Sequence, residues 1–211
     1  MIGTMTYNLP NLLTLFRIAL VPVFLVLFFA PVSWAREGCA AVFALAAVTD
    51  WLDGYFARRM GLVSPIGAFL DPVADKLMVA AALVLLVQAD PTLWLALPAV
   101  VIIGREITVS AVREWMAELG ARAQVAVSVV GKFKTAAQMV AVILLLYRDD
   151  LLGIPVYTVG FVLLYVAVIL TLWSMTVYIR AAWPSLLHGP HAAAAATDPP
   201  AGPRTGQGGG G

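Results

Sequence analysis

Four aspartates stand in two closely spaced pairs near the middle of the chain. Asp50 and Asp53 are three residues apart, and Asp71 and Asp75 are four residues apart. In helices these spacings place both members of a pair on one face. Carboxylates that converge at low effective dielectric repel one another strongly, so they must be protonated or neutralised by cations. Hard oxygen donors with no Cys or His nearby favour Mg²⁺ or Mn²⁺ over zinc.

The cost of these carboxylates supports the metal hypothesis. Each ionised side chain within a membrane span costs at least ~2.5–3.5 kcal/mol on insertion scales. The alternative is that the aspartates lie at helix ends and pair with Arg58, Arg59 and Lys76. That alternative suits a single pair well. Four aspartates at this spacing, with small residues between them, favour a metal site.

The composition indicates what must position these side chains. The chain has 62% hydrophobic and 12% charged residues, with a mean hydropathy of +0.92. Soluble domains carry about twice that share of charge, so the bilayer is the natural solvent. The net charge of +1 gives no argument for a nucleic-acid partner. The single cysteine, Cys39, excludes an intrachain disulfide and a cysteine-based metal cluster.

Apolar runs separated by short polar breaks predict an all-α, polytopic membrane bundle of six transmembrane helices. Short breaks make neighbouring helices antiparallel. Residues 1–187 form the membrane domain, and the Ala/Pro/Gly-rich tail over 188–211 is expected to be disordered. The segment before Asn11 suits a short surface helix. The predicted crossings lie near residues 12–32, 39–59, 66–88, 92–112, 127–147 and 155–180.

Positive charges are distributed unevenly between the two sides of this predicted bundle. Arg36 and Arg148 fall on one side, each close to an acidic residue. The side with the aspartates carries eight basic residues: Arg58, Arg59, Arg113, Arg122, Lys132, Lys134, Arg180 and Arg204. Lysine and arginine concentrate in cytoplasmic loops. Both termini and the aspartates are therefore expected on the cytoplasmic side.

The aspartates belong to a longer pattern. It runs Asp50-x-x-Asp53-Gly54-x-x-Ala57-Arg58, then eight residues, then Gly67-x-x-x-Asp71-x-x-x-Asp75. This pattern resembles the signature of the CDP-alcohol phosphatidyltransferase family, and every fixed position of that signature is occupied. The resemblance extends to "NLPNLLTLFRIALVP" at the start and to "REWMAELGARAQVAVSVVGKFKTAAQMVA" further on. It therefore covers nearly the whole hydrophobic region.

The resemblance implies roles for individual residues. Asp50, Asp53 and Asp71 would hold Mg²⁺ or Mn²⁺, and Asp75 would share the ions and act as general base. The metal would bridge the diphosphate of CDP-diacylglycerol, and the base would take the proton of an alcohol. Arg58 also suits a simple positive-inside anchor. The residues expected to bind the donor are Asn11, Thr14, Arg17, Gly54, Ala57, Arg58, Ser64 and Gly67. An arginine within an apolar span, such as Arg17, calls for a phosphate or carboxylate partner.

The acceptor is expected to be an anion because basic residues cluster beyond the aspartates. Arg105 and Arg113 on the fourth helix and Lys132 and Lys134 on the fifth can meet at the cytoplasmic end and bind a phosphate. Glu106 and Glu114 either orient the arginines or only neutralise them. The "REWMAELG" segment resembles family members that use glycerol 3-phosphate. Inositol phosphate and phosphatidylglycerol remain alternative acceptors, since both also carry negative charge.

The family resemblance further implies a multi-pass protein of the bacterial inner membrane, with its active site facing the cytoplasm, surrounded by membrane lipid. It also implies a homodimer, by analogy alone. A hypothesis of another class is a cation-coupled transporter, in which intramembrane carboxylates carry ions. Such proteins usually place their sites near the bilayer midplane, between repeats or interrupted helices. The aspartates here cluster at one end of their helices, and no internal repeat is visible.

Overall fold

The computed structural model describes residues 9–60, 65–118 and 129–188. These residues form six α-helices and no β-strand, which confirms the predicted all-α class. An isolated bridge between Leu151 and Ile154 closes the turn between the last two helices. The helices are α1 Leu9–Phe29, α2 Ala35–Met60, α3 Pro65–Ala89, α4 Leu93–Glu118, α5 Val129–Tyr147 and α6 Val156–His188.

Each helix contains most of one predicted apolar run, but three extend well beyond it. Helix α2 begins at Ala35 instead of residue 39, α4 ends at Glu118 instead of 112, and α6 ends at His188 instead of 180. The prediction followed apolar residues, whereas long charged side chains such as Arg and Glu are also good helix formers. The charged extensions of α2 and α4 therefore stay helical where the apolar pattern has ended, whereas the extension of α6 over 181–188 contains no Asp, Glu, Lys or Arg.

The surface of the bundle is apolar, as expected for helices in lipid. Large side chains such as Trp51, Leu93, Val100 and Trp173 are each at least 66% exposed. Three helices contain stretches long and apolar enough to cross a membrane: Leu12–Phe29, Leu93–Met116 and Val156–Arg180. Helix α5 contributes a shorter apolar stretch, Phe133–Tyr147. Among the described helices, three are thus long and apolar enough to cross a membrane, while six crossings with cytoplasmic termini stay a prediction.

The core lies along the middle of the bundle. Phe24 of α1 and Phe43 of α2 are almost completely buried and their ring centroids are 6.4 Å apart. Helix α1 lies against α2 and α3, α5 packs against α6 and α2, and α4 packs against α6 and α3. The α5–α6 contact is close: a Cβ added at Gly160 would lie 2.9 Å from Leu144 Cβ and 3.1 Å from the Leu145 backbone nitrogen. The missing side chain lets these two helices approach.

Sequential helices run antiparallel, so the bundle has two distinct ends. The aspartate end contains the last turns of α2, α4 and α6 and the first turns of α1, α3 and α5. The opposite end contains the two connections after α1 and α3 and the turn between α5 and α6. The predicted surface helix before Leu9 and the tail after His188 lie outside the described residues.

Candidate active site

A buried arginine joins α1 to the first aspartate pair. Arg17 is 1% exposed, and its guanidinium lies 2.8 Å from Asp50 Oδ1 and 3.6 Å from Asp53 Oδ2. An unpaired buried charge would be strongly destabilising, so these carboxylates hold Arg17 in the apolar interior. The partner anticipated for Arg17 is therefore a carboxylate in this structure. The Asp50 side chain remains 42% exposed, which leaves it accessible to a ligand.

Thr14 contacts the same aspartate pair from one helical turn earlier. Its hydroxyl donates a hydrogen bond of 3.0 Å to Asp53 Oδ2, and both side chains are buried. Residues three apart on a helix share a face, so Thr14 and Arg17 together direct one side of α1 at Asp53. One hydrogen bond from Thr14 and one ion pair with Arg17 together fix the orientation of the Asp53 carboxylate. Thr14 and Arg17, predicted as donor-binding residues, thus reach the aspartates directly.

Asp75 approaches the same place from α3. It lines a small cavity with Arg17, and the remaining wall is apolar: Phe43, Ala46, Ala47, Met78, Val79 and Met139. The Asp75 carboxylate is close enough to Asp50 and Arg17 to interact with both electrostatically. Among the described side chains it forms no ion pair at all. Asp50, Asp53 and Asp75 are therefore brought to one end of the bundle, and Asp75 is the least neutralised of the three.

Several predicted residues have a described helical position but no described side chain. Asp71 and Gly67 lie in the first turns of α3, and Gly54, Ala57 and Arg58 lie in the last turns of α2. Asn11 lies in the first turn of α1 and Lys132 in the first turn of α5. Ser64 lies outside the described residues altogether. The predicted roles of these residues stay predictions.

The donor set around α2 and α3 suits a hard divalent cation. Asp50, Asp53 and Asp75 supply carboxylate oxygens only, the ligand type that Mg²⁺ and Mn²⁺ prefer. Within residues 9–60, 65–118 and 129–188, no three acidic, histidine or cysteine side chains are gathered tightly enough to form a metal cluster. In this arrangement Arg17 neutralises two of the carboxylates. The residues fit a metal by their chemistry, and the predicted set includes Asp71, whose side chain is not described.

A second charged cluster connects α4, α5 and α6. Arg105 Nη1 lies 2.7 Å from Glu106 Oε1, and Lys134 Nζ lies 3.0 Å from the same oxygen. Arg105 Nη2 also donates to Ser174 Oγ on α6, at 3.4 Å. Lys134 is 4% exposed, which is rare for a lysine and demands a charged partner. One carboxylate therefore holds two cations of the predicted acceptor site together.

Hydrogen bonds link this cluster back to α3. Lys76, the residue after Asp75, donates to Ser110 Oγ on α4. The Ser110 hydroxyl in turn donates to the Glu106 backbone oxygen at 2.7 Å. Glu106 is also close enough to Asp75 to interact with it electrostatically. The aspartates and the cation cluster thus form one continuous polar region at the same end of the bundle.

Arg113, the other predicted cation of α4, occupies a different setting. It is exposed two turns beyond Arg105, and it forms no ion pair with the described side chains. Its position suits an entrance to the site more than a buried contact. The structure therefore brings Arg105 and Lys134 together and leaves Arg113 outside the cluster.

Three buried polar atoms near the cation cluster have no hydrogen-bond partner among the described residues. They are Arg105 Nε, Gln138 Oε1 and Thr171 Oγ1. Gln138 is one turn from Lys134 on α5, and Thr171 is one turn from Ser174 on α6. Buried polar groups are nearly always satisfied, so each exception needs an explanation. A polar ligand between α4, α5 and α6 would supply the missing partners.

Sequence reasoning left four contributors out of the site: Lys76, Ser110, Thr171 and Ser174. The sequence did contain a signal for Thr171 and Ser174. Thr171 and Ser174 are three apart in an otherwise apolar helix, and polar residues at that spacing share a face. Lys76 and Ser110 carried no comparable signal, because their hydrogen bond depends on how α3 packs against α4.

Comparison with known proteins finds similar sequences over most of the chain. Residues 7–173 match the CDP-alcohol phosphatidyltransferase family, a span that includes both charged clusters except for Ser174. A protein of Pseudomonas fluorescens named CDP-diacylglycerol--glycerol-3-phosphate 3-phosphatidyltransferase is 55% identical over 184 residues, covering 85% of this chain and 92% of the relative. Proteins of the same name from Shigella flexneri serotype 5b (strain 8401) and Pectobacterium atrosepticum are 53% and 52% identical, each covering 87% of this chain and 99% of the relative.

Proposed function

Because the chain belongs to the CDP-alcohol phosphatidyltransferase family, we propose that it transfers the phosphatidyl group of CDP-diacylglycerol to glycerol 3-phosphate. The products are phosphatidylglycerophosphate and CMP. The observation that carries the proposal is identity above 50% along nearly the full length of relatives that bear this enzyme name. The pair of cations formed by the half-buried Arg105 and the buried Lys134 supports an acceptor that carries a phosphate.

In the proposed reaction Asp75 acts as general base. The hydroxyl oxygen of glycerol 3-phosphate attacks the phosphorus of the phosphatidyl group, and its proton passes to the Asp75 carboxylate. The bond from that phosphorus to the oxygen of CMP breaks, and CMP leaves with the electron pair. Asp75 suits this role because no described side chain forms an ion pair with it. General-base catalysis typically contributes about 10²–10⁴-fold to the rate.

The first aspartates suit a different task. Asp50, Asp53 and Asp71, with a share from Asp75, would hold Mg²⁺ or Mn²⁺ in the family role, and the family is generally dependent on a divalent metal. When bound, such a metal polarises phosphoryl oxygens and stabilises a departing phosphate. Arg17 and Thr14 keep the Asp50 and Asp53 carboxylates oriented at the end of α1. The predicted donor-binding role of Asn11, Gly54, Ala57, Arg58, Ser64 and Gly67 belongs to this same proposal.

The acceptor phosphate is assigned to the cluster of α4 and α5. Arg105 offers a planar guanidinium that binds phosphate in a bidentate manner, and Lys134 adds a point charge. Glu106 keeps both cations in place while the site is empty of substrate. Gln138 and Thr171 supply polar atoms to the hydroxyls of the glycerol. Arg113 and Lys132 attract the dianion at the entrance.

The setting of the enzyme follows from the apolar helices and the family. We place it in the bacterial inner membrane, crossing the bilayer six times, with the aspartate end in the cytoplasm. That orientation agrees with the concentration of lysine and arginine at this end and with the aqueous location of glycerol 3-phosphate. A homodimer is proposed by family analogy.

The test is CMP release by the purified chain in detergent with CDP-diacylglycerol and Mg²⁺. We expect release that depends on glycerol 3-phosphate, stops when EDTA removes the metal, and returns when Mg²⁺ is restored in excess. Inositol phosphate and phosphatidylglycerol serve as the competing acceptors. Release with only one of these two would keep the family chemistry and reject the acceptor. Full activity after metal removal would reject the metal role of the aspartates.

A further inference from the structure

A larger cavity lies at the end of the bundle away from the aspartates. Its volume is about 590 Å³, and the ends of all six helices contribute to its wall. The inner part of the wall is apolar and includes Leu86, Leu95, Leu145 and Leu146. Small-molecule sites have volumes of roughly 300–1,000 Å³. The cavity is therefore large enough for a ligand, and no step of the proposed transfer reaction uses it.

The rim of this cavity is charged. Arg36 at the rim pairs with Asp149 at 3.3 Å, and Tyr157 donates a hydrogen bond to Asp90. The guanidinium of Arg148 lies over the Tyr157 ring, 5.1 Å from its centroid. No acidic side chain in the described part of the chain is within ion-pair distance of Arg148. One cation of the rim is thus left to bind an anion.

The backbone of Arg148 adopts a conformation that is uncommon for residues other than glycine. Its φ is 65°, in the left-handed region, and its N–H bonds to the Leu144 carbonyl oxygen at 3.0 Å immediately after α5 ends. Glycine normally occupies this capping position, because other residues are strained there by about 1–2 kcal/mol. Strained non-glycine residues concentrate at functional sites. The left-handed turn after α5, which also contains Leu152 at φ 51°, holds the Arg148 side chain at the rim of the cavity.

We propose that this cavity binds a phospholipid of the surrounding membrane, with the headgroup phosphate on Arg148 and the adjoining chain along the inner leucines. Guanidinium binds phosphate in a bidentate manner, and its stacking on Tyr157 orients it. The helix ends place the rim at the level where lipid headgroups meet water. The apolar inner wall suits a lipid chain and not a hydrated inorganic anion.

The test is binding of dioleoylphosphatidylglycerol to the purified full-length chain, followed by native mass spectrometry. Arg148→Gly removes the cation and relieves the strained backbone, so the variant keeps its fold. Leu152→Gly is the matched control, because Leu152 has φ of 51° in the same turn, is 95% exposed and does not line the cavity. We expect binding about tenfold weaker in Arg148→Gly, as for one lost charge-assisted hydrogen bond, and unchanged binding in Leu152→Gly.

A second variant tests the cavity independently of the charge. Ala89 lines it, and Ala89→Trp fills part of the space while Arg148 remains, so this variant should also lose the lipid. Lipid that binds at the aspartate end contributes equally to the signal of all variants. CMP release at the wild-type rate shows that each variant is folded. Wild-type affinity in Arg148→Gly, or full binding in Ala89→Trp, would overturn the proposal. Displacement of the lipid by inorganic phosphate at equal concentration would instead indicate a free-anion site and would also overturn it.

Discussion

Charge pairing distinguishes the carboxylates of the aspartate end from one another. Asp50 and Asp53 share Arg17, and Asp53 also accepts from Thr14, so donors already hold both. Asp75 has none of these partners among the described side chains and lies beside the apolar residues Met78 and Met139. A carboxylate without a permanent cation can exchange a proton with a substrate. This difference distinguishes Asp75, the proposed base that also shares the metal, from Asp50 and Asp53, which are proposed only as metal ligands.

Asp75→Asn tests that separation. The amide preserves the size of the side chain but cannot accept the proton of glycerol 3-phosphate, so CMP release should fall by about a hundredfold or more. The protein should still elute as a folded species in gel filtration, because no ion pair is lost. Asp149→Asn, at the opposite end, is the matched control and should release CMP at the wild-type rate. Wild-type turnover in Asp75→Asn would remove Asp75 from catalysis.

Glu106 is expected to position the two cations that bind the acceptor. Its carboxylate holds Arg105 and Lys134 together, and Glu106→Gln leaves only a neutral oxygen between two cations. The cations should separate, so KM for glycerol 3-phosphate should rise about tenfold while KM for CDP-diacylglycerol stays within twofold. Steady-state kinetics with each substrate varied in turn measures the split.

Glu114→Gln is the control for this prediction, because Glu114 is an exposed acid on the same helix. It should leave both KM values unchanged. An equal rise in both KM values in Glu106→Gln would mean that Glu106 supports the fold in general and does not position the acceptor cations. Such a result would also weaken the assignment of the acceptor phosphate to Arg105 and Lys134.

The sequence predicted which residues carry charge chemistry but not how they pair. Arg17 within an apolar run required an anionic partner, and the alternatives were a phosphate or a carboxylate. Choosing between them required the packing of α1 against α2, which brings residues more than thirty positions apart within 3.6 Å. The sharing of Glu106 by two cations depended in the same way on α4 meeting α5. Pairings of this range are set by tertiary structure.

At the scale of the elements, the close contact of α5 and α6 positions the acceptor cluster. Lys134 and Gln138 lie on α5, and Thr171 and Ser174 lie on α6. The two helices are in close contact at Gly160, where an added Cβ would lie 3.1 Å from the Leu145 backbone nitrogen. Gly160→Ala places a methyl against the Leu145 backbone, which cannot move as a side chain can. Overpacking of this kind costs about 1–3 kcal/mol. Thermal unfolding in detergent should therefore show a Tm lower by several degrees.

Gly104→Ala is the matched control for Gly160. It is also a helical glycine, but a Cβ added there meets no atom within 4 Å. Alanine is favoured over glycine in a helix by roughly 0.5–1 kcal/mol, so the Tm should stay the same or rise. If both variants behave alike, helix propensity and not the α5–α6 contact decides the outcome.

The helices themselves were largely predictable, because their apolar runs are long and the Pro- and Gly-containing breaks between them are short. Their ends were less so. The last turns of α4 are charged, and an apolar pattern cannot distinguish a helix that continues in charged residues from a loop. Arg148 shows a further limit, since its left-handed backbone stands where glycine would be expected. Sequence rules predict glycine at such a left-handed position after a helix, so they do not predict an arginine there.

At the scale of the whole molecule, the two ends of the bundle differ in chemistry and in proposed task. The aspartate end gathers Asp50, Asp53, Asp75 and the Arg105 cluster, all suited to water-soluble CMP and glycerol 3-phosphate. The opposite end has Arg36 and Arg148 among Asp90, Asp149 and Asp150, and it encloses a cavity that suits lipid. A membrane enzyme with one water-soluble substrate needs only one end of its helical bundle to face the compartment that contains this substrate.

This asymmetry predicts which end faces the cytoplasm, and single cysteines can test it. In a Cys39→Ala background, which removes the only native cysteine, Arg113→Cys marks the aspartate end and Asp149→Cys marks the other, both at exposed positions. A membrane-impermeant maleimide added to right-side-out vesicles should label Asp149→Cys at once and Arg113→Cys only after detergent is added. The reason is that basic residues resist translocation and remain cytoplasmic. The reverse labelling would place the proposed active site outside, where glycerol 3-phosphate is not supplied. Labelling of both positions before detergent would mean that the number of crossings between them is even.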